Sequence, residues 1–366
     1  MIKVTILMPV YNGSMYLQRS IGSVMAQTYA DWQLVALDDG STDDSLSVLK
    51  QMAAADKRIK IMTKTNDGKG NTARNIDIMS AEAEGDYIFY MSQDDYISAD
   101  LLQHAVTRAE ETGAEIVVPD MLLANADGST EQAKGSFPPN GDYTILLTGI
   151  EAFALCIDFS IHGFALIHRR LMFATDCDTR YFDSDEYNTR VQYLRANKTA
   201  FCHGTFFYYQ GNAEAMTKKF APKQFQRLNT IVMLGKKAEQ EHMPKEVMTR
   251  VRRWQMKVYL NVLILLFNNA GNMSRAEYKE AVKRFRQFEH GVRFGGYRRS
   301  ILKGLNVYEK ALTIIYFACG TCRHLHMLHN AYKRLKHRLR PTHELTLYAV
   351  YDVDVDVSAH DGERVS

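Results

Sequence analysis

The sequence predicts an α/β protein, a mostly parallel central sheet with helices on both faces, followed by a C-terminal helical region. Three observations predict it. Over the first 120 residues short apolar runs alternate with stretches of helical period. From about residue 221 long helical stretches replace them. The charge also splits: residues 1–220 hold 19 basic and 29 acidic residues, 221–340 hold 25 and 7, and 341–366 hold 1 and 6, although the 366-residue chain sums to +3. These shifts divide the chain into a unit over 1–220 (halves about 1–120 and 121–220), a basic helical domain over 221–340 and an acidic tail over 341–366.

The elements follow in order. Val4–Val10 reads as a buried strand, and Met15–Gln27 as a helix with Leu17, Ile21, Val24 and Met25 at helical spacing. Trp32–Leu37 and Ile59–Thr63 read as strands around a helix over Ser45–Ala55. Asn71–Ala83 is helical, Tyr87–Met91 a fourth strand and Ile116–Pro119 a further one. These runs are largely apolar rather than alternating, as strands covered on both faces require. Residues 124–142 are rich in Gly, Asn, Asp and Pro and read as loops. Residues 150–200 mix helix with short strands, and Phe206–Tyr209 is an aromatic strand-like run. Helical stretches follow over 222–241, 244–268, 274–289 and 298–340, the last with a break near Gly320. Asp352–Val357 alternates acid and valine and reads as a short exposed strand or as part of a disordered tail.

Several classes fall away. The longest apolar runs are about ten residues, against roughly 20 for a membrane span. The N-terminus lacks the basic and apolar regions of a signal peptide. Five scattered cysteines give no disulfide framework, and a cytoplasmic location is expected.

In an open parallel sheet, ligands bind beyond the carboxyl ends of the strands. There the sequence places Pro9, Tyr11, Asn12 and Gly13 after the first strand, Asp38–Thr42 after the second, and Gln93–Tyr96 after the fourth. Separately, each group is an ordinary turn or helix cap. Together they bring four carboxylates to one edge, where they repel unless a cation or a donor-rich ligand lies among them. Oxygen ligands of this kind suit Mn²⁺ or Mg²⁺.

VTILMPVYNGSMYLQRSIGSVMAQTYADWQLVALDDGSTDDS, then NDGKGNTARN, then GDYIFYMSQDD resemble the signature of family 2 glycosyltransferases, inverting enzymes of bacterial surface-polysaccharide synthesis among them. The resemblance is continuous over about residues 1–125, weakens through 150–220 and is absent beyond about 240. It implies a GT-A fold, Rossmann-like, and transfer of a sugar from a nucleotide-sugar, with UDP favoured because Asp39 can accept the N–H of an imide base. It also implies that Pro9, Tyr11 and Asp39 hold the base, that Arg74 and Asn75 stand beside the donor, that Asp94 lies near the ribose or the metal, and that Asp95 ligates the metal. One departure stands out: many members carry Asp-Ser-Asp-Asp where this chain has Ser92-Gln93-Asp94-Asp95.

Inverting transfer needs a base on the acceptor hydroxyl. Phe182–Tyr187 resembles the family's Glu-Asp motif, with Asp185 in the base position. Ser184 replaces the usual Glu, which leaves Glu186 as the fallback and Asp183 as a third choice; an acidic helix start is the other reading of these residues. Tyr208–Lys218 resembles a lid, with Tyr209 and Lys218 at the acceptor or diphosphate side, and His162 falls where the family lines the acceptor pocket. The acceptor expected is a saccharide or a lipid-linked saccharide.

The basic half leaves three readings open. Residues 297–340 carry ten Lys and Arg against Glu309, with Ile301, Leu305, Leu312 and Tyr316 among apolar residues at helical spacing. Such a stretch lies on an anionic membrane surface, here the inner face of the plasma membrane, or packs in a bundle or a homo-oligomer interface. Nucleic acid is not expected, because no recognised module accompanies the charge. Cys319, Cys322 and the nearby histidines do not match a zinc spacing. Two function classes remain: an active sugar transferase, and a non-catalytic sugar-nucleotide or glycan-binding relative with the same fold.

Overall fold

A computed structural model describes residues 2–66, 72–172, 184–215, 218 and 220–319. The order of elements is β1 (Val4–Val10), α1 (Ser14–Met25), β2 (Trp32–Asp38), α2 (Ser45–Ala55), β3 (Ile59–Thr63), α3 (Thr72–Ser80), β4 (Tyr87–Tyr90), β5 (Tyr96–Ile97), α4 (Leu101–Thr112), β6 (Ile116–Ala124) and β7 (Thr130–Glu131). There follow α5 (Gly149–Cys156), β8 (Leu166–His168), α6 (Arg169–Met172), α7 (Ser184–Arg195) and β9 (Thr199–Tyr209). The chain then turns helical, with α8 (Arg227–Gln240), α9 (Lys245–Asn269), α10 (Arg275–Gly291), α11 (Arg298–Leu302) and α12 (Val307–Cys319).

Among the described residues the strands form one sheet in the order β3-β2-β1-β4-β8-β6-β9-β5, with β7 on β6. β3, β2, β1 and β4 run parallel; β8 is antiparallel to both β4 and β6. The period of two in a strand divides β1 and β2 between two faces. Val4, Ile6, Met8, Leu34 and Ala36 join Leu17, Ile21 and Leu49 of α1 and α2 in one core. Leu7, Val35, Leu37 and Ile88 join Met79 of α3 in another. Burial of each large aliphatic side chain contributes about 1.5–3 kcal/mol, which is why these runs carry no polar alternation.

Pro9 fits inside β1 because of where the neighbouring ladder ends. Leu7 C=O accepts from Met91 N–H at 3.2 Å, so residues 7 and 9 face β4, whose pairing stops at Leu7↔Tyr90. The N–H that proline lacks would have had no strand partner there.

The helical region has its own core. Leu228, Ile231, Leu260, Leu263, Phe285 and Phe288 pack with Tyr259 at its centre, and Phe153, Ile157, Tyr187 and Val191 of the α/β part belong to the same cluster. Arg250 of α9 makes a two-point ion pair with Asp158, at 2.7 and 2.8 Å, across that junction.

Two expectations need correction here. Residues 298–319 do not form one helix: the break falls between α11 and α12, where Asn306 Oδ1 accepts from Glu309 N–H at 2.8 Å and Glu309 Oε2 accepts from Asn306 N–H at 2.9 Å. This reciprocal cap starts a new helix. The apolar face of the segment is also not free, because Ile301, Leu305, Leu312 and Tyr316 are buried in the helical core. Residues 320–340, the Cys322 and histidine group, and the tail over 341–366 lie outside the described residues. β9 starts at Thr199, seven residues before the aromatic run that marks it in the sequence.

Gly85 sits where β4 approaches β1. A Cβ there would lie 2.6 Å from Thr5 N and 2.7 Å from Lys3 O, both backbone atoms. Gly85→Ala is expected to cost about 1–3 kcal/mol of stability through overpacking, read as a lower denaturation midpoint with an unchanged slope.

Candidate active site

The turns after β1, β2 and β4 meet at one sheet edge and hold one another by named bonds. After β1, Asn12 takes a left-handed backbone (φ 48°) that asparagine tolerates. Its N–H donates to Ser41 Oγ at 3.0 Å, and its Oδ1 accepts from Thr42 N–H at 2.8 Å. Gly13 N–H donates to Ser45 Oγ at 2.8 Å. The Asp-Gly-Ser-Thr-Asp turn is thus both a helix start, with Asp43 accepting from Ser45 N–H, and the cradle of the first loop.

Gln93, expected after the fourth strand and within the departure from the Asp-Ser-Asp-Asp that many members carry, clamps that loop. Its Oε1 accepts from Tyr11 N–H at 2.8 Å and its Nε2 donates to Tyr11 C=O at 3.1 Å. Its amide fills the space beside residue 13, where a Cβ would come within 2.3 Å of it. The clamp leaves the Tyr11 ring exposed over the edge, at 48%.

Asp39 is buried at the end of β2. Its Oδ1 accepts from Lys64 Nζ and its Oδ2 from Asn75 Nδ2, the latter at 3.0 Å. Each oxygen keeps a lone pair for a further donor. Asn75 of α3 therefore acts on the site through Asp39, whereas Arg74 beside it is exposed.

The acidic turn is the most constrained element. Asp95 is 1% exposed; its Oδ1 accepts from Tyr209 N–H at 3.0 Å, and its buried Oδ2 has no hydrogen-bond partner among the described residues. Burial pushes its carboxyl well above the usual range and the neighbouring Asp94 adds to this, against the Tyr209 N–H. Asp94 Oδ2 accepts from Asn212 Nδ2 at 2.6 Å. Arg19 of α1 donates to Asp94 C=O at 3.0 Å and lies over the Tyr209 ring at 3.9 Å. A buried carboxylate oxygen lacking a donor, next to a second carboxylate, fits a hard divalent cation. Among the described residues no three His, Cys, Asp or Glu groups are gathered as a metal cage, so most of the ligand positions of such an ion would fall to phosphate and water.

Asp185 and Glu186 occupy the first turn of α7, where the helix dipole favours negative charge. Glu186 accepts from Nη1 of the buried Arg190 one turn later. The Tyr90 hydroxyl, 3.3 Å from Ser92 Oγ, is driven far up by burial, and Asp185, Asp95 and Asp94 all push it the same way. One hydroxyl therefore feels the acidic turn and the start of α7 together. Asp183 and residues 67–71 lie outside the described residues. Lys218 Nζ donates to Gln210 C=O, and burial lowers its basicity against the charge of Asp94.

His162 does not line an open pocket. It is 0% exposed, its Nε2 lies 2.8 Å from Pro119 O, and its Nδ1 accepts from Phe164 N–H at 3.2 Å, which puts the proton on Nε2. Sequence reading also passes over Arg19, Lys64 and Asn212. Each lies tens of residues from the acid it supports, and no local pattern links the two.

A family model described as Glycosyl transferase family 2 matches residues 5–210. An uncharacterized glycosyltransferase of Haemophilus influenzae is 42% identical over 101 residues, covering 27% of this chain and 39% of that protein. The poly(ribitol-phosphate) beta-N-acetylglucosaminyltransferase TarS of Staphylococcus aureus is 23% identical over 257 residues, covering 66% of this chain and 42% of that protein. The chain thus spans about two fifths of each relative's length. The structure of S. aureus TarS 1–349 with UDP-GlcNAc has the same fold, with a TM-score of 0.64 at 14% identity over 91% of this chain and 92% of that one.

Burial holds the His162 imidazole neutral, lowering its pKa to about 4 from 6.5. Between these values the unfolded chain binds a proton that the native chain does not, so stability falls as pH falls from 6.5 to about 4. The loss is about 3 kcal/mol at most. Unfolding midpoints measured across this window are expected to fall less steeply in His162→Asn than in the parent.

Proposed function

Since the chain belongs to glycosyl transferase family 2, we propose that it moves a sugar from a UDP-sugar to a saccharide or lipid-linked saccharide of a surface polysaccharide, with inversion in a single displacement. The observation that supports this reading is the meeting of the turns after β1, β2 and β4, which brings Asp39, Asp94 and Asp95 to one sheet edge.

In this reading the Tyr11 ring stacks on the base while Pro9 shapes the turn below it. Asp39, steadied by Lys64 and Asn75, accepts the imide N–H of uracil. The UDP-GlcNAc complex of TarS supports a uridine donor. Asp185 takes the proton of the acceptor hydroxyl as its oxygen attacks the anomeric carbon. Glu186, which accepts from Arg190, is the fallback base. Asp95, with Asp94, would hold Mn²⁺ or Mg²⁺, which when bound supplies positive charge against that growing on the departing diphosphate. Tyr209 and Lys218 border this side of the site.

No helix among the described residues is long and apolar enough to cross a membrane. We assign the exposed residues of α11, α12 and the turn between them, Arg298, Arg299 and Lys303 with Val307 (83% exposed) and Ile314 (53%), to an anionic bilayer surface. Co-sedimentation with phosphatidylglycerol vesicles is expected, and should weaken as salt rises. Equal binding to neutral vesicles would argue against this assignment.

The reaction is tested by incubating the full chain with a panel of nucleotide-sugars and Mn²⁺ and measuring nucleoside diphosphate release. UDP-sugars should turn over. Asp185→Asn should slow turnover by about 10²-fold or more while UDP binding persists. Asp95→Ala should remove the metal dependence of donor binding. Full activity of Asp185→Asn would move the base elsewhere, and no turnover of any donor would favour a non-catalytic binding role.

A further inference from the structure

The helical region holds a cavity that the transfer reaction does not use. It measures about 370 Å³ and lies between the end of α8, the first half of α9 and the segment after α10. A volume of this size accommodates a small organic molecule. Met243 and Met248 form apolar wall, and His242, Arg252 and Arg293 supply polar wall from three separate elements. Glu239 is the carboxylate on the lining, and it already accepts from Arg252 Nη2. The lining thus includes two arginines and one carboxylate, and that carboxylate is paired with Arg252.

Arg252 is 3% exposed and held in place: its Nη1 donates to Gln255 Oε1 at 2.7 Å, and Gln255 Nε2 is anchored on Ile231 C=O at 2.6 Å. A guanidinium fixed in this way loses little side-chain freedom when an anion arrives.

His242 is the sharper observation. α8 ends in a Schellman turn, with Met243 N–H donating to Ala238 C=O at 3.1 Å and His242 N–H donating to Glu239 C=O at 3.1 Å. The residue between must be left-handed, and His242 has φ 50°. Glycine is the usual occupant of that position, because any Cβ there is strained. This turn keeps an imidazole instead, and the imidazole stands on the wall of the cavity. Strain retained where glycine would close the same turn points to a use for the side chain.

We infer that this cavity is a second binding site, one that takes the phosphate group of an organic phosphate. Arg252 and Arg293 meet the phosphate charge, His242 adds a donor, and Met243 and Met248 cover the organic part. Three donor groups from three directions match the three terminal oxygens of a phosphate monoester better than the two of a carboxylate. The same chemistry is offered by a lipid headgroup and by free phosphate.

The test is calorimetric titration of the full chain with inorganic phosphate and, separately, with dihexanoyl phosphatidic acid, a soluble lipid phosphate. At least one probe should bind the parent protein. Arg293→Gln, a change at an exposed side chain, should weaken that binding about tenfold or more. His242→Gly should weaken it about fivefold while its melting temperature stays level or rises, because the turn is relieved of strain. Lys218→Gln, at the diphosphate side of the donor edge, should bind the probes as the parent does. Tighter binding of the lipid phosphate than of inorganic phosphate supports the inference; equal binding would show that Met243 and Met248 hold no organic part and would overturn it. Binding of neither probe, binding unaltered in both Arg293→Gln and His242→Gly, or binding lost in Lys218→Gln would overturn it.

Discussion

The candidate site is organised around one electrostatic difficulty. Asp95 is buried with one oxygen that has no donor among the described residues, and Asp94 is its chain neighbour. Such a pair holds together only if the surroundings supply charge or donors. Tyr209 N–H reaches Asp95 from β9, Asn212 reaches Asp94 from the loop beyond, and Arg19 reaches the turn's backbone from α1. Elements separated by nearly 200 residues are thus fixed relative to one another by the demands of two carboxylates. The remaining oxygen is where a cation would complete the arrangement.

The second constraint is mechanical. The loop under Tyr11 touches β2's turn through Asn12 and Gly13, and touches the acidic turn through Gln93. The turns after β1, β2 and β4 are therefore one connected piece. A displacement of Gln93 would move the backbone of Tyr11 and shift the neighbouring Asp94 at once.

Legibility followed the range of the interactions. β1, α2 and β3 begin and end where apolar periodicity places them, because their burial is a property of consecutive residues. The strand-end acids were visible because a parallel sheet dictates where its turns point. The place of His162 could not be read from the sequence, because one imidazole looks the same there whether it faces a pocket or is satisfied by Pro119 and Phe164. The start of β9 was missed because Thr199–Thr205 pairs with β6 through backbone bonds that leave little pattern in its side chains. The break before α12 was legible after all: Asn306 and Glu309 stand at capping-box spacing, but the apolar run on either side hid them.

The shared core at the junction bears on what counts as the smallest working unit. Tyr187 and Val191 of α7, the helix that begins with Ser184 and Asp185, are buried in the same cluster as Leu228, Trp254 and Leu260. A fragment cut at residue 220, just past the family match, would leave those side chains facing water, and Asp158 would lose Arg250. The helical region thus completes the packing of α7, and the smallest unit that holds this helix in place extends beyond the family match.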